Sequence, residues 1–123
     1  MTLREAISTT DALINNEFSD EEKISWISEL DGLVFKNIIQ THEDGSIDHF
    51  TPYNKNTDPT TELLISEPYS EAYVIWLQNK MDYYRGETDK YNNSVERFYE
   101  KYNDYSAWYN SIHRYKSKKI KFW

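Results

Sequence analysis

The strongest signal in the sequence is a run of large side chains with helical spacing near its C-terminal end. Between residues 91 and 112 they recur at intervals of four, three, four, three, four and three, at Tyr91, Val95, Phe98, Tyr102, Tyr105, Tyr109 and Ile112. Residues three or four positions apart lie on the same face of an α-helix. The pattern therefore predicts one long helix with a continuous aromatic face, which Tyr99 and Trp108 widen.

This aromatic face has two interpretations. Tyrosine is amphipathic and suits a half-wet groove or a subunit contact. The face could equally pack on the preceding helices with its hydroxyl groups at the rim, since each buried hydroxyl needs a partner. A long helix has room for both arrangements. The candidate contact residues on it are Tyr91, Tyr102, Tyr105, Trp108 and Tyr109.

A second helix is predicted over residues 20–41. Ser19 and Glu22 have the spacing of a capping box, in which each side chain binds the backbone amide of the other residue. Apolar residues then follow in steps of three and four at Ile24, Ile27, Leu30, Val34 and Ile38. These signals indicate an amphipathic helix with a wide apolar stripe.

The remaining elements complete a small bundle. A short first helix is predicted around residues 3–14, and a third begins near Pro68 and ends at Gly86. Residues 42–68 contain all three prolines and the Asp44-Gly45 turn signal, so they predict a long irregular loop. Within it, residues 47–53 and 63–65 could pair as a short β-hairpin. The predicted fold class is all-α, a bundle of about four helices with this long loop between helices 2 and 3.

The composition excludes several classes of function. A chain of 123 residues suits one domain, and the lack of cysteine excludes disulfides, thiolate nucleophiles and cysteine-bound metals. No apolar run reaches the ~18 residues of a membrane span, and the N-terminus lacks a signal-peptide core. We therefore expect an intracellular, soluble protein without a membrane partner.

Charge divides the chain into two parts. Residues 1–113 carry nine basic and 21 acidic side chains, a net charge of −12, whereas residues 114–123 carry five basic side chains and no acid. We expect a single helical domain over 1–113 and a basic aromatic tail over 114–123. An acidic body disfavours general DNA binding. The tail is expected to dock on another protein, such as an acidic patch of a neighbouring subunit, through Arg114, Lys116, Lys118, Lys119, Lys121, Phe122 and Trp123.

No catalytic motif stands out. His42, Glu43 and Asp44, with Asp48 and His49, form the one local cluster that resembles a metal site, but their spacing matches no known motif and favours a solvated polar loop. There is no Gly-x-Ser-x-Gly sequence and no glycine-rich phosphate loop. The sequence therefore predicts a protein that is not an enzyme and needs no metal or other cofactor.

Three stretches together resemble the head–tail connector (adaptor) proteins of tailed bacteriophages and prophages. They are SDEEKISWISELDG at residues 19–32, LLISEPY at residues 63–69, and DYYRGE at residues 82–87 with YNNS at residues 91–94 before the aromatic helix ending in WYN. The resemblance covers most of residues 5–113. The basic tail is outside it.

The resemblance implies a structural role in the virion neck. Such connectors form rings, commonly of twelve copies, between the portal protein and a tail-side connector or stopper protein. DNA passes through the channel only transiently, and assembly takes place in the host cytoplasm. The family implies no enzyme activity and no cofactor. The long loop would then reach the channel or an adjacent ring.

Two alternatives stay open beside the connector. The first is a small intracellular helical module that acts by protein–protein interaction or regulation through the aromatic helix. The second and more distant one is a metal-dependent enzyme built on His42 and His49.

Overall fold

The computed structural model describes residues 1–42 and 47–113, and in them it confirms the all-α class. The described residues contain no strand, and the short 3₁₀ turn Ile39–Thr41 follows the second helix. The four helices, in chain order, are α1 (Leu3–Leu13), α2 (Asp20–Asn37), α3 (Glu71–Tyr84) and α4 (Thr88–Ile112).

Capping boxes start the first two helices. At α2 the Glu22 amide donates to Ser19 Oγ at 3.1 Å, and the Ser19 amide donates back to the Glu22 carboxylate at 3.5 Å. Thr2 and Glu5 make the same reciprocal pair at α1. These contacts satisfy amides that a helix start leaves without partners. The predicted α2 is correct at its start, but it ends at Asn37 rather than at residue 41 because the backbone tightens into the 3₁₀ turn.

The predicted start of α3 at Pro68 is wrong. Pro68 follows a cis peptide bond and lies in a turn closed by the Tyr69 amide, which donates to the Ser66 carbonyl at 2.9 Å. The helix begins three residues later, at Glu71. Its end is as predicted, since Gly86 has a φ of +69°, the left-handed conformation that glycine adopts without strain.

The long segment between α2 and α3 pairs with the N-terminus and not with itself, so the predicted hairpin is wrong for the residues described. Thr2 and Glu62 form an isolated antiparallel bridge. On either side of it, the Leu3 amide donates to the Thr61 carbonyl at 2.9 Å and the Leu63 amide to the Met1 carbonyl at 3.0 Å. The first residues of the chain therefore supply the partner that a hairpin would have supplied.

Helix α3 lies at the centre of the bundle. It packs against α1, α2 and, along most of its length, α4. Its buried apolar side chains extend around much of its circumference, as expected for a central helix, and they are Ala72, Tyr73, Val74, Ile75, Leu77 and Met81. The long segment adds Leu63 and Ile65 to the same core.

A buried carboxylate fixes the long segment to the helices. Asp31 on α2 is 0% exposed and accepts hydrogen bonds from the hydroxyls of Tyr53, at 2.7 Å, and Tyr73, and from the Leu64 amide, at 3.1 Å. The Ile65 amide in turn donates to the Tyr73 hydroxyl at 2.7 Å. Three donors on two carboxylate oxygens satisfy a group that would otherwise be costly to bury. Asp31 thus joins α2, α3 and the long segment at one point.

This carboxyl should make stability depend on pH. Burial raises the pKa of Asp31 from its usual value of 3.8 to about 6, although the hydrogen bonds from Tyr73, Tyr53 and Leu64 favour the ionised form. The folded state therefore binds the proton more tightly than the unfolded state. The resulting stabilisation is complete below pH 3.8 and is lost as the pH rises through 6.

The check is urea unfolding of the wild-type protein and the Asp31→Asn variant at two pH values. The free energy of unfolding of the wild type, relative to that of the variant, should be about 1 kcal/mol higher near pH 5 than near pH 7.5. A difference that stays constant between the two pH values would show that Asp31 does not titrate in this range.

Candidate functional site

The candidate contact residues on α4 fall into two groups. Tyr105 and Tyr109 are 1% and 5% exposed and belong to the core, so the expectation that they form a contact surface is corrected. Tyr91, Tyr102 and Trp108 are half-buried and keep part of their rings at the surface. The face therefore follows mainly the second interpretation, because α4 packs along α3 and points its central rings inward.

The tyrosine hydroxyls explain why this face is not built from leucine. The Tyr105 hydroxyl donates to the Leu64 carbonyl at 3.3 Å, so the ring fills the core while its polar end bonds the long segment. Burial raises the pKa of Tyr105, which keeps the hydroxyl protonated and able to donate. The ring also contacts Tyr69 and Trp108, with centroids 6.0 and 5.9 Å away.

The C-terminal end of α4 contacts His42, the residue after the 3₁₀ turn, through a cluster of imidazole and phenol rings. The His113 ring stacks on Tyr109 with centroids 3.7 Å apart, and His42 meets the same ring edge-on at 4.9 Å. His42 is 2% exposed, and its Nδ1 lies 2.6 Å from the Ile38 carbonyl, to which it donates in the corresponding tautomer. His42 is thus a core residue and not part of a solvated loop, whereas His49 is exposed.

The metal cluster considered from the sequence gains no support within the described ranges. Residues 1–42 and 47–113 hold no group of three or more side chains that could bind a metal ion. Glu43 and Asp44 lie outside those ranges. So do all the candidate residues of the tail, namely Arg114, Lys116, Lys118, Lys119, Lys121, Phe122 and Trp123.

An exposed aromatic surface, not singled out from the sequence, lies at the opposite end of the bundle. Trp26 and Tyr84 stack with centroids 5.6 Å apart at an interplanar angle of 15°, and Tyr83 contacts Tyr84 at 5.2 Å and Tyr91 at 5.7 Å. Tyr83 and Tyr84 are each 61% exposed, whereas Trp26 is 8% exposed beneath Tyr84 and Tyr91 is half-buried. We call these four rings the aromatic shelf. The local signal for it in the sequence is the pair Tyr83-Tyr84, directly before the predicted helix end at Gly86.

Acidic side chains surround one edge of the aromatic shelf. An open cleft of about 630 Å³ lies at this edge, and its lining includes Glu21, Glu22, Trp26 and Tyr84. It is larger than the groove of about 460 Å³ between α1, α3 and α4. Residues 17–22 contain four carboxylates and no cation. The cleft at the shelf is therefore acidic as well as aromatic.

The cations around the shelf are engaged in ion pairs. Lys80, which lines a cleft with Tyr83 and Tyr84, binds Glu29 at 3.1 Å. Arg85 binds Glu17 at 2.7 Å, a hydrogen bond that lowers the pKa of the Glu17 carboxyl. Lys23 is 3% exposed and binds Asp11 at 2.7 Å.

Arg4 lies 3.6 Å from Asp20, so within the described residues Glu21 and Glu22 are the carboxylates of this segment, residues 17–22, that pair with no cation. They make the cleft negative, which favours a positively charged ligand.

A different groove lies between α1, α3 and α4. Its volume is about 460 Å³, and its lining combines apolar residues with Glu67, Glu71 and Arg97. Leu13, at the end of α1, is 71% exposed at its edge. The groove is less acidic than the shelf cleft because Arg97 lies in it and Lys101 neutralises Glu71 at 3.4 Å.

A buried polar cluster fixes the geometry of the aromatic shelf. Asn79 on α3 donates to Ser94 Oγ on α4 at 3.1 Å, and Ser94 Oγ lies 3.2 Å from the Asp82 carboxylate. Burial raises the pKa of Asp82. Since these bonds join α3 and α4 beside their connecting turn, they hold Tyr83 and Tyr91 in place.

No helix among the described residues is long and apolar enough to cross a membrane. Comparison of the chain with models of protein families, with curated proteins and with solved structures found no match.

Proposed function

We propose that this protein is a structural head–tail connector of a tailed bacteriophage or prophage. In this role it forms a ring between the portal protein and the tail-side connector or stopper protein, and the genome passes through the ring. The proposal includes no enzymatic step and no cofactor. Its place would be the virion neck, reached after assembly in the host cytoplasm.

The observation that carries the proposal is the structural use of the stretches that resemble connectors. Asp31, in the first stretch, accepts a hydrogen bond from the Leu64 amide, in the second. In the third, Ser94 lies 3.2 Å from Asp82 across the turn between α3 and α4. The resemblance thus includes the polar residues that a shared fold would need, and not only exposed residues that any acidic helical chain could have.

Charge and exposed aromatic surface also suit this role. The net charge of −12 on residues 1–113 would keep the wall of a channel from binding the DNA that passes through it. The aromatic shelf presents two tyrosines that are each 61% exposed, a type of surface enriched at protein–protein contacts. The same shelf also suits the alternative function, a helical interaction module that binds one partner without forming a ring.

Co-sedimentation with the portal ring encoded in the same genome tests the proposal. The full-length protein is mixed with purified portal rings and separated on a sucrose gradient, with a portal ring from an unrelated phage as the control. We expect the protein to move into the fractions of its own portal with several copies per ring, and to stay at the top with the control. Binding of one copy per ring, or no binding, would contradict the proposal.

A further inference from the structure

The aromatic shelf has the chemistry of a site for a cationic and aromatic segment. Tyr84 stacks on Trp26 and is 61% exposed, and carboxylates from the first turn of α2 line the adjoining cleft. Aromatic rings bind other rings and also lysine ammonium groups through cation–π contacts. A segment with lysines and aromatic residues would pair its ammonium groups with these carboxylates and pack its rings against Tyr84.

Such a segment exists in the chain itself. Residues 114–123 contain five cations, no acid, and the aromatic residues Tyr115, Phe122 and Trp123. Their charge is opposite to that of Glu21 and Glu22, which line the shelf cleft and pair with no cation among the described residues. Charge complementarity of this kind steers association and fixes its register.

The length of the tail favours the shelf of another copy. Helix α4 has 25 residues, which corresponds to about 37 Å at the usual rise per residue. At the C-terminal end of α4 the His113 ring lies 6.1 Å from that of His42, whereas the shelf lies beside the N-terminal end of α4. Ten residues span at most about 33–36 Å when fully extended. The tail could therefore reach the shelf of its own copy only at the limit of its length.

We propose that residues 114–123 of one copy bind the aromatic shelf of the next copy, with the lysines at Glu21 and Glu22 and the terminal rings against Tyr84. The contact joins different surfaces at opposite ends of the bundle, so it is heterologous. Heterologous contacts form closed rings when the rotation between copies closes, and open filaments when it does not. Because this contact is placed within the connector ring, the inference rests on the proposed function.

Disulfide trapping tests the contact directly because the natural chain has no cysteine. One full-length copy carries Ser25→Cys, in the lining of the shelf cleft, and a second copy carries Ser117→Cys. The two are mixed and oxidised with copper–phenanthroline, and the products are identified by mass spectrometry. In the matched control, the first copy carries Ser8→Cys instead of Ser25→Cys. Ser8 is exposed on α1. We expect several-fold more mixed disulfide with Ser25→Cys than with Ser8→Cys.

Two further arms test the chemistry of the contact. Tyr84→Ala in the Ser25→Cys copy should lower the yield of mixed disulfide several-fold, whereas Tyr99→Ala, at an exposed tyrosine of α4, should leave it unchanged. Raising the salt concentration should lower the yield as well, because the screening length falls from about 10 Å at 0.1 M to about 3 Å at 1 M.

Three outcomes would overturn the inference. They are equal yields with Ser25→Cys and Ser8→Cys, no effect of Tyr84→Ala, and a Ser25→Cys/Ser117→Cys double variant that cross-links only within one copy. The failures of the two proposals are distinguishable, because trapping needs no portal. Portal binding without the mixed disulfide overturns the tail contact alone, and the mixed disulfide without portal binding overturns the connector role alone.

Discussion

Replacing Tyr105 with alanine is expected to lower the free energy of unfolding by about 3–5 kcal/mol, the range for truncating a large buried aromatic residue. The side chain is 1% exposed, packs against Tyr69 and Trp108, and donates to the Leu64 carbonyl. Its loss would leave a cavity between α4 and the long segment. Urea unfolding followed by circular dichroism measures the change.

The control for this variant is Tyr99→Ala on the same helix. Tyr99 is 56% exposed, so its replacement should cost no more than about 0.5 kcal/mol. Equal losses at the two positions would contradict the assignment of Tyr105 to the core. They would instead favour the interpretation in which the whole aromatic face of α4 is available to a partner.

Replacing Tyr73 with phenylalanine is expected to lower the free energy of unfolding by about 2–4 kcal/mol, although it removes a single oxygen atom. That oxygen donates to Asp31 and accepts from the Ile65 amide at 2.7 Å. The variant therefore leaves a buried amide without an acceptor and removes one of the three donors to a buried carboxylate. Urea unfolding near pH 7, where Asp31 is mostly ionised, gives the largest effect.

The matched variant is Tyr53→Phe, which removes a hydroxyl bonded to the same carboxylate. Tyr53 is half-buried, and its hydroxyl donates to Asp31 at 2.7 Å without accepting from a buried amide. We expect about half the loss seen with Tyr73→Phe. If Tyr53→Phe were as costly as Tyr73→Phe, the bond from Ile65 would contribute nothing, and the role of Tyr73 as a link between the long segment and α3 would be wrong.

The parts of the fold that the sequence predicts are those specified by neighbouring residues. The Ser19–Glu22 capping box starts α2, the alternating spacing defines α4, and Gly86 ends α3, because each signal operates within one or two helical turns. The long segment depends on remote partners. Its backbone pairs with the first residues of the chain, which local patterns cannot indicate.

In the candidate site, too, features set by neighbouring residues are predictable from the sequence, and features that depend on remote partners are not. Spacing places Tyr91, Tyr102 and Tyr105 on one helix, but it does not indicate which of them α3 covers. Asp31 is one of 21 acidic residues, and its burial follows from tyrosines 22 and 42 positions away. The aromatic shelf likewise combines α2 with the end of α3, so its rings come together only in the folded chain.

Single-particle electron microscopy of the portal ring mixed with the full-length protein tests the connector role most directly. We expect a closed ring of this protein, coaxial with the portal, whose central channel continues that of the portal. Portal rings that carry no added density, or that carry separate copies on their outer surface without a closed ring, would contradict the proposed function.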